Sequence, residues 1–383
     1  MSEHFSLKNT NTILTFIFGL VIFTPLALGI IQKDRITSQI EKRNLTPRPQ
    51  LPKNISELIA FPNKFNAYYA DHFGLREFFT KTYFKISHKL NGQPASEDVT
   101  IGKDGWMFLG SIKPGYTGYG DPMGDITNIN LYTEEELKEF AQSLTKIKNW
   151  LHKQNIEYIY TIAPNKHTVY FDKLPDYISK KNKYSATEQL ISYLKAHTDI
   201  TIVELGEALS KAKKDHQLYY KTDTHWNYYG ANIAQFEIMK AIEQKFPGKI
   251  SASLHPSTQF INSKRSGGDL ALFANISNLS EDDLHPVFVD NCSKGDILVS
   301  KNDAQPFTTT CSQKKLNALI FRDSFFIALQ PYFSRKLKTA TFIPERINIQ
   351  SLKKYITIEK PDIVIDEIIE RTHPYLPEKN ALP

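Results

Sequence analysis

The hydrophobic pattern divides the chain into an apolar start, a polar stretch and a long alternating body. No side chain from Asn9 to Gln32 is charged, and Ile13 to Ile31 is almost wholly apolar, with Pro25 and Gly29 within it. A run of that length can cross a bilayer as a helix. It predicts an uncleaved signal anchor. A cleaved signal peptide, with Ala27 and Gly29 as the small residues before the cut, is the competing reading; the continuation through Ile30 and Ile31 favours the anchor. Lys33, Arg35, Lys42 and Arg43 follow the run and only Lys8 closely precedes it, which on charge alone argues against an exported C-terminus. Residues 33–55 are polar and carry Pro47, Pro49 and Pro52, the composition of a stalk. Residues 56–92 are rich in aromatics (Phe61, Phe65, Tyr68, Tyr69, Phe73, Phe78, Phe79, Tyr83) and read as helical. Val99–Gly110 reads as a hairpin: a short strand, a Lys-Asp-Gly turn and a second apolar strand.

From Thr133 onward, periods of 3.6 and short apolar runs alternate. Thr133 with Glu136 makes a capping box, and Leu137, Phe140, Leu144, Ile147 and Leu151 follow at helical spacing. Ile156–Pro164 is a strand of the fully buried type. Ser185 with Glu188 opens a second helix, and Ile200–Leu205 is a second strand. A helix after Gly230 carries Ile233, Phe236, Met239, Ile242 and Phe246 on one face and stops at Pro247-Gly248. Residues 249–315 read as loop. Leu316–Phe321, Leu337–Ile343 and Asp362–Ile369 are three further strands. Strands alternating with helices predict a mostly parallel sheet covered on both faces.

Composition adds bounds. With 383 residues, 41% hydrophobic and 23% charged, the chain is neither disordered nor a small disulfide scaffold. The net charge of +6 is spread along the sequence, without a dense basic cluster, which argues against a nucleic-acid partner. Cys292 and Cys311 lie in a polar loop-like stretch and suit one disulfide in an oxidising compartment, contributing roughly 3 kcal/mol by loop closure. Two free thiols is the alternative. Cysteines without clustered histidines do not make a structural zinc site, and neither a metal nor a cofactor is expected.

Two segments carry candidate chemistry. In Tyr219–Ala231, Asp223 and His225 stand two apart just before a helix, where a carboxylate can hold one imidazole nitrogen and leave the other free as a base. In Ala318–Phe326, Ser324 follows the end of a buried strand, where α/β folds place ligands and where helix N-terminal N–H groups favour a developing oxyanion. The plain structural alternative is that Asp323 or Ser324 caps the helix.

Together these segments resemble the SGNH (GDSL-type) hydrolase superfamily. Phe321-Arg322-Asp323-Ser324 stands where the family has a strand and Gly-Asp-Ser, and Asp223-Thr224-His225-Trp226-Asn227 where it has its acid–base motif. The serine comes last instead of first, which a circular permutation explains: Pro361–Arg371 resembles the family's middle strand and Ile156–Lys166 the next one. The phrases DGWMFLG, APNKHTVY, TDTHW, GGDLA, RDSF and EIIER, in that order, are similar to the alginate O-acetyltransferase (AlgX/AlgJ-like) family over roughly residues 40–375.

The resemblance implies an SGNH-hydrolase-like three-layer α/β/α sandwich behind an N-terminal transmembrane helix. It divides the chain into a cytoplasmic tail and anchor (1–32), a stalk with a helical and hairpin segment (33–115) and a catalytic domain (116–383) with an insertion at about 249–315. It implies O-acetyl transfer to an exported polysaccharide through an acetyl-serine on Ser324, with His225 as base and Asp223 as its orienter. A multi-pass membrane O-acyltransferase would supply the acetyl group, and the catalytic domain would lie outside the cytoplasm at the inner membrane. A polysaccharide acetylesterase with the same triad and a non-catalytic polysaccharide-binding or assembly protein are the competing functions. The family's glycine is replaced by Arg322, and its Gly-X-Asn-Asp oxyanion motif by Ile369-Glu370-Arg371. The Ser324 N–H is the first oxyanion donor to consider; Arg371, Asn165, Arg322 and Trp226 are further oxyanion or substrate candidates.

Overall fold

The computed structural model describes residues 3–31, 34, 37–38, 43–75, 78–79, 82, 99–110, 121–256, 259–274, 276, 279–289, 292–294, 296 and 302–372. The chain divides into two compact units, residues 1–96 with 272–277, and residues 97–271 with 278–383.

The first unit opens with a helix over Glu3–Ile31, whose segment Thr12–Gly29 is long and apolar enough to cross a membrane. Strands β1 (Thr37–Ser38) and β2 (Arg43–Asn44) pair antiparallel. A second helix, Ile55–His72, starts at Asn54, whose side chain accepts the Glu57 N–H, and holds Phe61, Phe65, Tyr68 and Tyr69. Thr46 ties the polar segment to this helix through two bonds to Asp71 Oδ2, both 2.8 Å. Tyr83 of the aromatic-rich stretch lies outside the described residues.

In the second unit, β3 (Val99–Ile101) and β4 (Met107–Leu109) form the hairpin expected there, turning through left-handed Asp104 and Gly105. The main sheet has six strands: β5 (Glu157–Ala163), β6 (Thr201–Glu204), β9 (Phe307–Thr310), β10 (Asn317–Phe321), β11 (Thr339–Ile343) and β12 (Ile363–Ile369), in the order β6-β5-β12-β10-β11-β9. All neighbours are parallel except β11 and β9. The last strand of the chain, β12, is buried at every position and sits between β5 and β10, in register with both. Pro361–Arg371 and Ile156–Lys166, read as successive strands of the family across the permutation, are neighbours in the sheet.

Alternate residues of the strands feed two cores. Ile159, Ile320, Phe342 and Ile365 pack under the helices Tyr228–Lys245 and Gln330–Lys336, together with Ile238 and Phe333. Tyr160, Leu319, Phe321 and Val364 face the helices Glu134–His152, Ala186–His197 and Ile349–Glu359, with Ile147, Leu190 and Leu352. The result is three layers, as the alternation of periods demands. Both capping boxes form as the spacing predicts.

Two expectations are corrected. The helix placed after Gly230 begins at Tyr228, because Asn227 caps it by accepting the N–H groups of Tyr229 and Gly230. The stretch 249–315 is not all loop: β7 (Phe260–Ser266) and β8 (Ser280–Pro286) form a seven-pair antiparallel hairpin, and β9 joins the main sheet. β7 and β8 lack apolar alternation because both are largely solvated. Their pairing sets Lys264 opposite Asp282 and Arg265 opposite Glu281, so opposite charges stand where a half-buried strand would carry hydrophobes. Cys292 and Cys311 form a disulfide.

Candidate active site

The parallel strands β5, β10 and β12 end on the same edge of the sheet, and the candidate residues follow those ends. After β10, Asp323 turns the chain into a short 3-10 helix over Ser324–Leu329. Its carboxylate accepts the Phe325 N–H at 2.8 Å and the Ile369 N–H from the end of β12. Asp323 is thus the cap, and it leaves the neighbouring Ser324 hydroxyl exposed and free for other bonds. Burial raises the pKa of Asp323 above the ordinary carboxylate value, against the pull of those two N–H donors. Glu367, fully inside the sheet, accepts the Asp323 N–H at 3.1 Å, and burial followed by the nearby Asp323 charge pushes its pKa well upward.

The Asp223–His225 segment comes to the same place from the other side of the helix layer. His225 Nε2 lies 2.8 Å from Ser324 Oγ, and His225 Nδ1 lies 2.7 Å from Asp223 Oδ1, although 99 residues separate histidine from serine. Asp223 Oδ1 also accepts the His225 backbone N–H at 3.1 Å. With Nδ1–H donating to the Asp223 carboxylate, the Nε2 lone pair faces the serine hydroxyl. The imidazole rests on Phe325 with ring centres 4.6 Å apart, and Trp226 meets the same ring edge-on while its Nε1 donates to the Phe325 carbonyl at 2.9 Å. Trp226 is 1% exposed, so it locks the two motifs together from beneath instead of offering a face to substrate.

Charged side chains hold the acid segment in place. Lys166, buried after β5, donates to the carbonyls of Tyr220, Lys221 and Asp223 at 3.0, 3.0 and 2.7 Å. Burial lowers its pKa to about 7 against the charges of Asp223, Asp269 and Glu281, and the rings of Trp106 and Phe108 lie 5.7 and 5.4 Å from its Nζ. Asp269 accepts the Thr224 N–H and hydroxyl at 2.7 and 2.6 Å. Arg265 Nη2 donates to Asp223 Oδ2 at 2.9 Å. Gly268 leaves room for that carboxylate, since a Cβ there would lie 2.4 Å from Asp223 Oδ2. Burial disfavours the Asp223 charge, yet the bonds from His225 and the Arg265 charge outweigh it and hold the carboxylate well below its ordinary range.

Arg265 and Asp269 are site residues to which the sequence alone assigns no role. The signal for Asp269 was its place in the GGDLA phrase; Arg265 had none, because its strand was read as loop.

The remaining candidates separate. Arg371 Nη1 donates to Asn165 Oδ1 at 2.9 Å, and its guanidinium lies 5.4 Å from the Phe325 ring centre, on the ring that also carries His225. Asn165 is a bracket for Arg371, its amide donating to Asp125 at 2.6 Å. Arg322 points elsewhere: it is 5% exposed and donates to the carbonyls of Asp303 and Asp323. Asp125, His167 and Glu370 cluster beside a cavity of about 280 Å³. The carboxylate oxygens of Asp125 and Glu370 already accept protein donors, Asn165 Nδ2 on Asp125 and the Asn165 N–H and Thr168 hydroxyl on Glu370.

The profile of the SGNH hydrolase-like domain of the acetyltransferase AlgX matches residues 99–295, just over half of the chain. The chain belongs to this family. Among curated relatives, a probable alginate O-acetylase AlgJ of Pseudomonas syringae pv. tomato is 26% identical over 217 residues, covering 55% of this chain and 50% of that protein. The AlgJ protein of Azotobacter vinelandii is 22% identical over 226 residues, covering 58% and 53%. The chain therefore spans about half the length of the curated relatives it matches. Among solved structures, Bacillus cereus PatB1 superposes with a TM-score of 0.50 at 15% identity, over 72% of this chain and 96% of that one, a likeness of fold. The AlgX-family match runs through Asp223 and His225 and stops before Ser324.

Proposed function

We propose that this protein is an O-acetyltransferase that carries acetyl groups on Ser324 and delivers them to hydroxyls of an exported, alginate-like polysaccharide. The observation that supports it most is the continuous chain Ser324 Oγ–His225 Nε2, His225 Nδ1–Asp223 Oδ1, with both distances within hydrogen-bond reach. His225 takes the Ser324 proton as Oγ bonds to the acetyl carbon of an ester donor. The tetrahedral oxyanion faces the Ser324 N–H at the start of the 3-10 helix, with Arg371 as the cationic candidate beside it. His225 returns the proton to the leaving oxygen, and acetyl-Ser324 remains. A sugar hydroxyl, deprotonated by His225, then attacks the same carbon and releases the serine. Asp223 fixes the imidazole tautomer and stabilises the imidazolium in both halves.

The apolar helix and the disulfide support a single-pass anchor in the inner membrane with the catalytic unit in the periplasm. A multi-pass membrane acyltransferase is the source we assign to the acetyl group. The test offers the full-length protein an acetyl ester, with and without an oligosaccharide. Transfer predicts acetylated sugar; free acetate alone makes the protein an esterase. Ser324→Ala is expected to lose either activity by at least a thousandfold.

A further inference from the structure

We infer that Arg265, brought in by the β7–β8 hairpin, is a positioning residue that fixes the Asp223 carboxylate and, through it, the orientation of His225 as a base. The inference rests on the triad reading above. Asp223 has two carboxylate oxygens with different partners. Oδ1 faces the imidazole and Oδ2 faces Arg265 Nη2 at 2.9 Å. Arg265 is itself fixed, with its guanidinium carbon 4.1 Å from the Tyr220 ring centre and its strand paired in register with Glu281. Glu281 in turn accepts the N–H of Lys221 and the hydroxyl of Thr222, two links before Asp223. The hairpin thus grips the acid segment at its backbone and at the far oxygen of its carboxylate.

The charges around His225 give this contact its consequence. Asp223 lies 2.7 Å and Asp269 3.8 Å from Nδ1; Asp323 sits behind Phe325, and Arg371 lies over that ring. Lys166 reaches the Asp223 carbonyl from beneath, and Glu281 stands behind Thr222. Two carboxylates stand within reach of one imidazole nitrogen, so the ring's orientation depends on which of them is held in place. Arg265 holds the Asp223 oxygen that His225 does not use, so Oδ1 stays aimed at Nδ1 and Nε2 stays aimed at Ser324. Arg265 is 28% exposed at its side chain, so its loss leaves a solvated gap instead of an emptied core.

The test measures kcat and KM separately for acetyl-ester turnover in the full-length protein, for wild type, Arg265→Gln and Arg265→Lys. Arg265→Gln is expected to lower kcat about tenfold with little change in KM. Arg265→Lys, which keeps the charge, is expected to restore most of the wild-type kcat. An unchanged kcat in Arg265→Gln, or an equal loss in both variants, overturns the inference. Ser324→Ala run in parallel keeps the two readings apart: residual turnover there removes the triad itself, whatever Arg265 does. Thermal melting of each variant, expected within a few degrees of wild type, excludes misfolding as the cause.

Discussion

Two aspartates in one site meet opposite fates. Asp323, on the sheet side, accepts backbone N–H groups beside Glu367, and burial raises its pKa despite the Arg371 and His225 charges nearby. Asp223, on the loop side, is also buried, yet His225 and Arg265 hold it ionised. The difference lies in their partners. On the sheet side, strand ends and main-chain groups build a rigid platform for Ser324, and the carboxyl there shapes a turn. On the loop side, side chains of Lys166, Arg265 and Asp269 build a charged clamp, and the carboxyl there orients a base. Burial alone does not decide what an acid does; the donors aimed at it do.

The clamp side should be the more fragile. Lys166→Met leaves up to three carbonyls without their common donor and removes a buried cation beside Asp223, so it is expected to cost about 2–4 kcal/mol of stability and at least a hundredfold in kcat/KM. Chemical denaturation and ester turnover read both. A variant with full activity would mean that the Tyr220–Asp223 backbone is held by other contacts.

Gly268→Ala sharpens the comparison at a single atom. The added methyl would stand 2.4 Å from Asp223 Oδ2 and displace the carboxylate or the Arg265 bond. Turnover is expected to fall about ten- to a hundredfold with little change in KM. Equal loss in KM would place the defect in substrate binding instead.

These two sides also differ in how far they could be read from the chain. Ser324 was visible because a buried apolar strand ends just before it, and Asp323 was rightly suspected as a cap. Five of the six strands of the main sheet carry recognisable apolar runs, β5 and β12 among them. The hairpin β7–β8 escaped because its pairing uses Lys264, Arg265, Glu281 and Asp282, and a polar alternation carries no core-facing signal. β9 escaped because Phe307–Thr310 offers one aromatic and three threonines, too short a run to separate from loop. Contacts such as Lys166 to three carbonyls join segments over 50 residues apart, and no local pattern encodes them.

The smallest effect belongs to the sheet side. Glu367 has its pKa raised in the folded protein, so it binds a proton there that it loses in the unfolded chain above about 4.5. The folded state is therefore favoured at low pH by this group, and that contribution fades as pH rises through the folded value. Glu367→Gln keeps an acceptor for the Asp323 N–H and removes the titration. Wild type should melt lower at pH 8 than at pH 5 by more than the variant does, a difference of a few degrees. Identical pH dependence would mean that Glu367 is ionised in the fold.

The most direct measurement quenches the full-length protein during turnover of an acetyl ester and locates the acetyl group by peptide mass spectrometry. The account predicts one acetyl on Ser324 in the wild type and none on that peptide in His225→Ala. An acetyl group on another residue, or equal acetylation of Ser324 without the histidine, would contradict it.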